Sequence, residues 1–265
     1  MMGEPLLILK DVSLSFAGNA VLHGVNYVVT AGSISSLIGP NGAGKTSLFN
    51  CVTGFYKPQA GGIVFAGVPI LPLKPYQVTR TGIARTFQNV RLFRQMSVLE
   101  NVMSGQHCRT TAGAIGAILH LPSERREERQ IRERAAECLE FVGVAEADWG
   151  RDASTLAYGH QRRVEIARAL ATMPKLLLLD EPAAGLTKGE KAELVGLISR
   201  IRAERGVAVL LIEHDTGLVM SISERVSVLD HGVMIAEGTP REIQTNPRVI
   251  EAYLGAEDAE AALAL

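Results

Sequence analysis

Apolar and polar side chains alternate loosely from Leu6 to Phe16 and again from Ala20 to Val29, with Ala17-Gly18-Asn19 between them supplying turn chemistry. That pattern predicts an antiparallel hairpin. Thr30-Ala31-Gly32 closes it and leads into Ile34 to Ile38, which reads as a buried strand, and Ser47 to Val52 then reads as the first turns of a helix. Gly54 and Lys57-Pro58 mark a break, and Gly61 to Gly67 reads as a short strand. Pro69, Pro72 and Pro75 predict an irregular stretch. Ile83 to Gln88 follows as a strand running into a loop.

The period changes beyond that loop. Ser97 to Gly143 has helical spacing and little strand propensity, and Ser123 to Arg134 within it mixes Glu and Arg densely. Alternating signs make this run a solvated helix face laced with i,i+4 pairs rather than a surface for an acidic partner or RNA. Strand patterns return at Leu176 to Leu179 and Val207 to Ile212, separated by a helix from about Lys188 to Glu204 that ends near Gly206. Strands so uniformly apolar suit a parallel sheet buried on both faces. Val226 to Leu229 and Val233 to Ala236 predict a final hairpin around Asp230-His231-Gly232. A short helix from Pro247 to Leu254 precedes an Ala/Glu-rich tail, 256–265, expected to be flexible. No internal repeat is apparent.

Composition narrows the class. The 265 residues carry 27 basic and 28 acidic side chains, a formal charge of −1, so nothing global draws the chain to nucleic acid or anionic lipid. Cys51, Cys108 and Cys138 are widely spaced, which fits neither a disulfide framework nor a zinc site and suits a reducing compartment. Met1 to Lys10 has no secretory-signal pattern. No run approaches the roughly 20 apolar residues of a membrane span, and Ala112 to Leu119 is short and broken by glycine. The chain is therefore expected not to be integral to a membrane.

Chemistry enters with Gly39-Pro40-Asn41-Gly42-Ala43-Gly44-Lys45-Thr46, a complete G-x-x-x-x-G-K-[ST] phosphate-binding loop lying between a predicted strand and a predicted helix. Its glycines let backbone N–H groups converge on phosphate at a helix N-terminus. Lys45 can reach the β- and γ-phosphates of a nucleotide, with the Thr46 hydroxyl placed for Mg²⁺ and Ser47 next to it at the helix start. Leu176 to Leu179 runs into Asp180-Glu181, two carboxylates at a strand end, where ligands sit in open α/β sheets. Asp180 is expected to hold Mg²⁺, directly or through water, and Glu181 to polarise the water that attacks the γ-phosphate. Around Gly159 a second helix begins, with Val164, Ala167, Leu170 and Ala171 on one face. It is a second helix start suited to an anion, yet one nucleotide needs only one.

The phosphate loop, Gln88, the 156–162 segment shortly before Asp180-Glu181, and His214 after the next strand together resemble the ATP-binding subunit of ABC transporters, from about Leu6 to Gly255. The resemblance implies an α/β fold, a P-loop NTPase of the ABC nucleotide-binding type. It would comprise a RecA-like core, an antiparallel β subdomain and a helical subdomain inserted near residues 95–165, all within one domain over 1–255. It also implies two subunits, identical or not, closing head to tail on two ATP molecules, so that each site joins one subunit's phosphate loop to the other's signature helix. Position by position, Phe16 resembles the aromatic that stacks on adenine. Gln88 resembles the glutamine that touches Mg²⁺ and the attacking water while coupling to the membrane subunit, and His214 the switch histidine of the γ-phosphate. Ala157 and Gly159 fall where the signature meets ATP in trans.

Two departures stand out. Leu156-Ala157-Tyr158-Gly159-His160 keeps only Leu156 and Gly159 of the usual L-S-G-G-Q, and Ala183-Ala184-Gly185-Leu186-Thr187 lacks the usual terminal aspartate. A second, non-identical ATPase as dimer partner fits both. Arg85 to Phe93, Glu181 to Leu186 and Asn246 to Gly255 are similar to LivG-type subunits of bacterial branched-chain amino acid importers. That similarity implies a LivF-type ATPase, two membrane permeases and a periplasmic binding protein as partners, no nucleic acid, and a place at the cytoplasmic face of the inner membrane. The lipopolysaccharide-export ATPase shares part of the Tyr-Leu-Gly tail, and urea or amide uptake ATPases are further alternatives. A soluble, non-transport ABC protein is disfavoured by the single cassette, and a kinase or GTPase by the lack of an acceptor site or an N-K-x-D motif.

Overall fold

The computed structural model describes residues 3–108 and 122–254. The tail expected over 256–265, the Ala112 to Leu119 stretch and part of the 95–165 insertion lie outside the described residues. Strands β1 (Pro5–Phe16) and β2 (Asn19–Thr30) form the expected hairpin, and β1 also pairs antiparallel with β4 (Ala60–Phe65), which pairs with β5 (Val68–Pro69). This four-stranded sheet has the order β2-β1-β4-β5.

A second sheet carries the chemistry. Its strands are β3 (Ile34–Ile38), β6 (Ile83–Arg85), β7 (Leu176–Asp180), β8 (Ala208–Ile212), β9 (Arg225–Asp230) and β10 (Val233–Gly238), in the order β10-β9-β3-β8-β7-β6. Only the β9–β10 pair is antiparallel. Every residue of β3, β7 and β8 is buried, as their apolar sequences predict. Side-chain alternation then splits one strand between two cores: Leu177 and Leu179 join the helical side, and Leu176 and Leu178 pack toward the β1–β4 sheet.

Helix α1 (Lys45–Val52) leaves β3 through the phosphate loop. The proline-rich stretch is less irregular than expected, because Pro75 begins α2 (Pro75–Thr81). Proline suits a first helical position, where its missing N–H costs nothing, and the Gln77 side chain accepts from the Lys74 N–H at 2.9 Å. Helices α3 (Val98–Ser104), α4 (Pro122–Val142) and α5 (Tyr158–Ala171) pack on one another through Val98, Val102, Ala135, Leu139, Val142 and Val164. Glu128, Arg129, Arg132, Glu133 and Arg134 of α4 are exposed, a solvated face as their pattern predicts.

Helix α6 (Lys188–Arg205) starts at Thr187, whose hydroxyl accepts from the Glu190 N–H while the Glu190 carboxylate accepts in return from the Thr187 N–H. Three short helices follow: α7 (Thr216–Ile222) and α8 (Pro240–Gln244), which the sequence patterning misses, and α9 (Pro247–Leu254), which it predicts. Among the described residues no helix is long and apolar enough to cross a membrane.

Candidate active site

The loop between β3 and α1 is held in shape by its surroundings. Gly39 has a φ of 147°, and a Cβ there would collide with the Leu229 carbonyl of β9. The β9–β10 turn braces the loop from outside, with the Gly232 N–H donating to the Ala43 carbonyl at 2.9 Å. Lys45 lies buried along the loop, its Nζ donating to the carbonyls of Gly39 at 2.7 Å and Pro40 at 2.8 Å. Burial pushes its ammonium below the usual lysine value, and Glu181 and Asp180 oppose that shift. Thr46, one residue into α1, is exposed, and Ser47 beside it is half-buried.

Strand β7 delivers its two carboxylates differently. Asp180 is buried at the strand end, and its Oδ2 accepts from Arg85 Nη2 at 2.7 Å. Glu181 follows with a φ of 46°, a left-handed conformation that costs a non-glycine residue about 1 to 2 kcal/mol. Its N–H donates to the Ile212 carbonyl at 2.9 Å. Turned out of the strand in this way, the Glu181 carboxylate meets two side chains: Gln88 Nε2 donates to Oε2 at 2.7 Å, and His214 Nε2 lies 2.8 Å from Oε1. Glu213 anchors the same corner from beneath, accepting from the N–H of Ala183 at 2.7 Å and of His214 at 3.0 Å.

A cavity of about 310 Å³ opens beside this corner and is lined by Thr46, Asn50, Tyr56, Arg85, Gln88 and Asp180. The three residues expected to serve Mg²⁺ therefore line one cavity. Phe16 stands at its margin, 42% exposed, with its ring edge-on to Tyr56 at 5.0 Å. On the other flank, Pro40, Asn41, Gly42 and Ala43 border an open cavity of about 730 Å³ with His231, Arg248 and Glu251.

The other candidate residues lie apart. Ala157 caps α5 without any side-chain hydrogen bond, and Gly159 lines a separate small cavity with His160, Arg163 and Glu190. A Cβ at Gly159 would meet the Glu190 carboxylate, so a side chain there would require the capping group of α6 to shift. The structure does not bring these residues to the phosphate loop of the same chain.

Sequence reasoning missed the buried charges that tie these parts together. Arg162, 1% exposed, donates through Nη1 to the Phe87 carbonyl at 2.6 Å and to Glu165 at 2.8 Å, and through Nη2 to the Gln88 carbonyl at 2.7 Å. Glu165, equally buried, accepts at Oε1 from the N–H groups of Phe87 and Arg91. Burial pushes its carboxyl above the usual range, against the pull of Arg162. One readable signal was present: a Glu three residues after an Arg, on a helix face otherwise apolar.

The chain is similar to known proteins along most of its length. The family model described as ABC transporter matches residues 22–184, and that of the branched-chain amino acid ATP-binding cassette transporter matches residues 233–259. The high-affinity branched-chain amino acid transport ATP-binding protein LivG of Escherichia coli K12 is 48% identical over 254 residues, covering 96% of this chain and 99% of its own. The corresponding protein BraF of Pseudomonas aeruginosa is 47% identical with the same coverage. Among solved structures, the ADP conformation of an ATP-binding cassette of an ABC transporter superposes with a TM-score of 0.82 at 32% identity, covering 95% of this chain and 99% of that one. The chain belongs to the ABC transporter family as one of its ATPase subunits, in the group of branched-chain amino acid ATP-binding cassettes.

Proposed function

We propose that this ATPase powers the import of leucine, isoleucine and valine from the cytoplasmic face of the membrane. It would act with two permeases, a LivF-type ATPase or a second copy of itself, and a periplasmic binding protein. The observation that carries the catalytic part is the Glu181 carboxylate, gripped by Gln88 and His214 beside the phosphate loop. The phosphate loop, Gly39 to Thr46 with Ser47, binds the ATP phosphates, Lys45 neutralises their charge, and Phe16 receives the adenine. Glu181 orients and polarises the attacking water, His214 holds Glu181 and faces the γ-phosphate, and Gln88 completes the grip.

Thr46, Gln88 and Asp180 fit Mg²⁺, because they offer hard oxygen donors with one carboxylate, the set this ion takes alongside substrate phosphates. When bound, the ion neutralises charge on the β- and γ-phosphates. Ala157 and Gly159 serve the site of the dimer partner, where backbone donation from α5 replaces the missing serine hydroxyl.

Coupling to the permeases is supported by a groove of about 640 Å³ lined by Phe87, Arg91, Phe93, Glu165 and Arg168. Phe93 is 53% exposed there. The Arg162–Glu165 pair grips the backbone from Phe87 to Arg91, so a push on this groove moves Gln88 and α5 as one piece. The helical insertion near 95–165 is the body that moves within the 1–255 domain. The test is reconstitution with the co-purifying membrane partners in proteoliposomes, followed by uptake of labelled leucine with ATP inside. ATP-dependent uptake lost in Lys45→Ala supports the reading. Recovery of lipopolysaccharide-export components instead, with no uptake, overturns the substrate assignment.

A further inference from the structure

Arg85 stands in a short apolar strand, yet its side chain is only 6% exposed and its partner Asp180 only 4%. Both terminal nitrogens of the guanidinium are held by side chains, while Nε is buried without a partner. Nη2 donates to Asp180 Oδ2 at 2.7 Å, and Nη1 donates to Asn50 Oδ1 at 2.6 Å. Its carbon lies 5.5 Å from the Phe49 ring centre and 5.1 Å from that of Phe87. Asn50 follows Thr46 by one turn of α1, so the two share a helix face. A single side chain thus ties the strand bearing Asp180 to the helix bearing Thr46, in the wall of the same cavity.

The consequence lies in which oxygen remains. With one lone pair of Oδ2 taken by a short charge-assisted bond, Oδ1 is the less encumbered oxygen for a cation, and chelation through both oxygens is disfavoured. One-oxygen coordination suits Mg²⁺, which demands compact octahedral geometry, whereas Ca²⁺ readily takes a carboxylate through both oxygens at longer range. We propose that Arg85 is a positioning residue that sets metal preference at the nucleotide site, by occupying one oxygen of Asp180 and holding that carboxylate against the Thr46 helix. This rests on the ATP·Mg²⁺ reading of the site given above.

Removing the guanidinium frees Oδ2 and admits two-oxygen coordination. The test is the affinity of a fluorescent ATP analogue, measured with Mg²⁺, with Ca²⁺ and with EDTA, for the full chain and for Arg85→Met, Arg85→Lys and Asn50→Ala. In the wild type, binding is tighter with Mg²⁺ than with Ca²⁺. Arg85→Met shrinks that ratio about tenfold or more, each affinity being taken relative to the same variant's affinity in EDTA. Arg85→Lys, with one point donor that cannot bridge Asp180 and Asn50, shrinks it less. Asn50→Ala, which loosens the guanidinium without removing it, shifts the ratio in the same direction by the smallest amount.

If Arg85→Met does not fold, as judged by its thermal transition, the lysine and Asn50 variants decide the matter. An unchanged Mg²⁺/Ca²⁺ ratio in folded variants overturns the role of Arg85 and leaves the site reading intact. A wild type whose nucleotide affinity ignores divalent ions altogether overturns the site reading itself.

Discussion

Two buried arginine–carboxylate pairs flank the 85–91 segment, and they differ in what they leave unsatisfied. Arg85–Asp180 joins two strand ends and keeps one carboxylate oxygen for the cavity. In Arg162–Glu165 both carboxylate oxygens are engaged, Oε2 by Arg162 and Oε1 by two backbone N–H groups, and the guanidinium donates to two backbone carbonyls while its Nε is buried without a partner. The first pair lines a cavity, and the second is a strut. Burial alone therefore does not mark a functional charge. The two pairs differ at the carboxylate: both oxygens of Glu165 accept protein donors, whereas in Asp180 only Oδ2 accepts one among the described residues.

Breaking the strut should produce the largest loss of stability. Arg162→Met leaves the Glu165 charge buried without its partner and two carbonyls unbonded, a loss of about 3 to 5 kcal/mol in urea unfolding. Replacing both members by Met should recover part of that loss, since neither buried charge then remains. Simple additivity of the two single changes would break the comparison, by showing that the pair is not a closed unit.

A smaller effect is expected at the start of α5, which lacks the side-chain cap that Thr187 gives α6. Ala157 has φ −58° and ψ 150°, an extended conformation that a capping serine can adopt. Ala157→Ser should add about 1 kcal/mol of stability, read as a rise in Tm of about 2 to 4 °C.

The smallest effect belongs to an exposed pair. Lys191 Nζ donates to Asp215 Oδ2 at 2.7 Å, and both side chains are 34% exposed. That hydrogen bond, with the N–H of Leu218, holds the Asp215 carboxyl below its usual range. The folded-state value is the depressed one, so the stabilisation is present above the ordinary aspartate pKa and is lost as pH falls through the lower folded value. Asp215→Asn, which keeps the cap of α7, should lower Tm by at most about 3 °C at neutral pH, and the gap should close in acid.

The sequence made the sheet strands, the phosphate loop and Asp180-Glu181 legible because each is a local signal: an apolar run, a fixed glycine spacing, a carboxylate at a strand end. Helix α2 was hidden because three prolines in seven residues read as irregular, although the last of them suits a helix start. The ties among site residues were hidden for another reason. Arg85 and Asp180 are 95 residues apart, and Gln88 and Glu181 are 93 apart. Nothing in local spacing records a partner that the sheet order supplies. Arg85 did leave a trace, as a charge ending a strand whose neighbours Ile83 and Ala84 are buried. An unexplained charge in an apolar strand is the pattern that could have found it.

The central claim is that Glu181, presented by its left-handed backbone to Gln88 and His214, drives hydrolysis. Its most direct test is steady-state ATPase activity of Glu181→Gln beside equilibrium ATP binding and sizing of the ATP-bound form. The amide keeps the shape and loses the charge that polarises water. Turnover should fall by about a hundredfold or more while ATP still binds and an ATP-bound dimer accumulates. Hydrolysis at the wild-type rate in Glu181→Gln would contradict the claim.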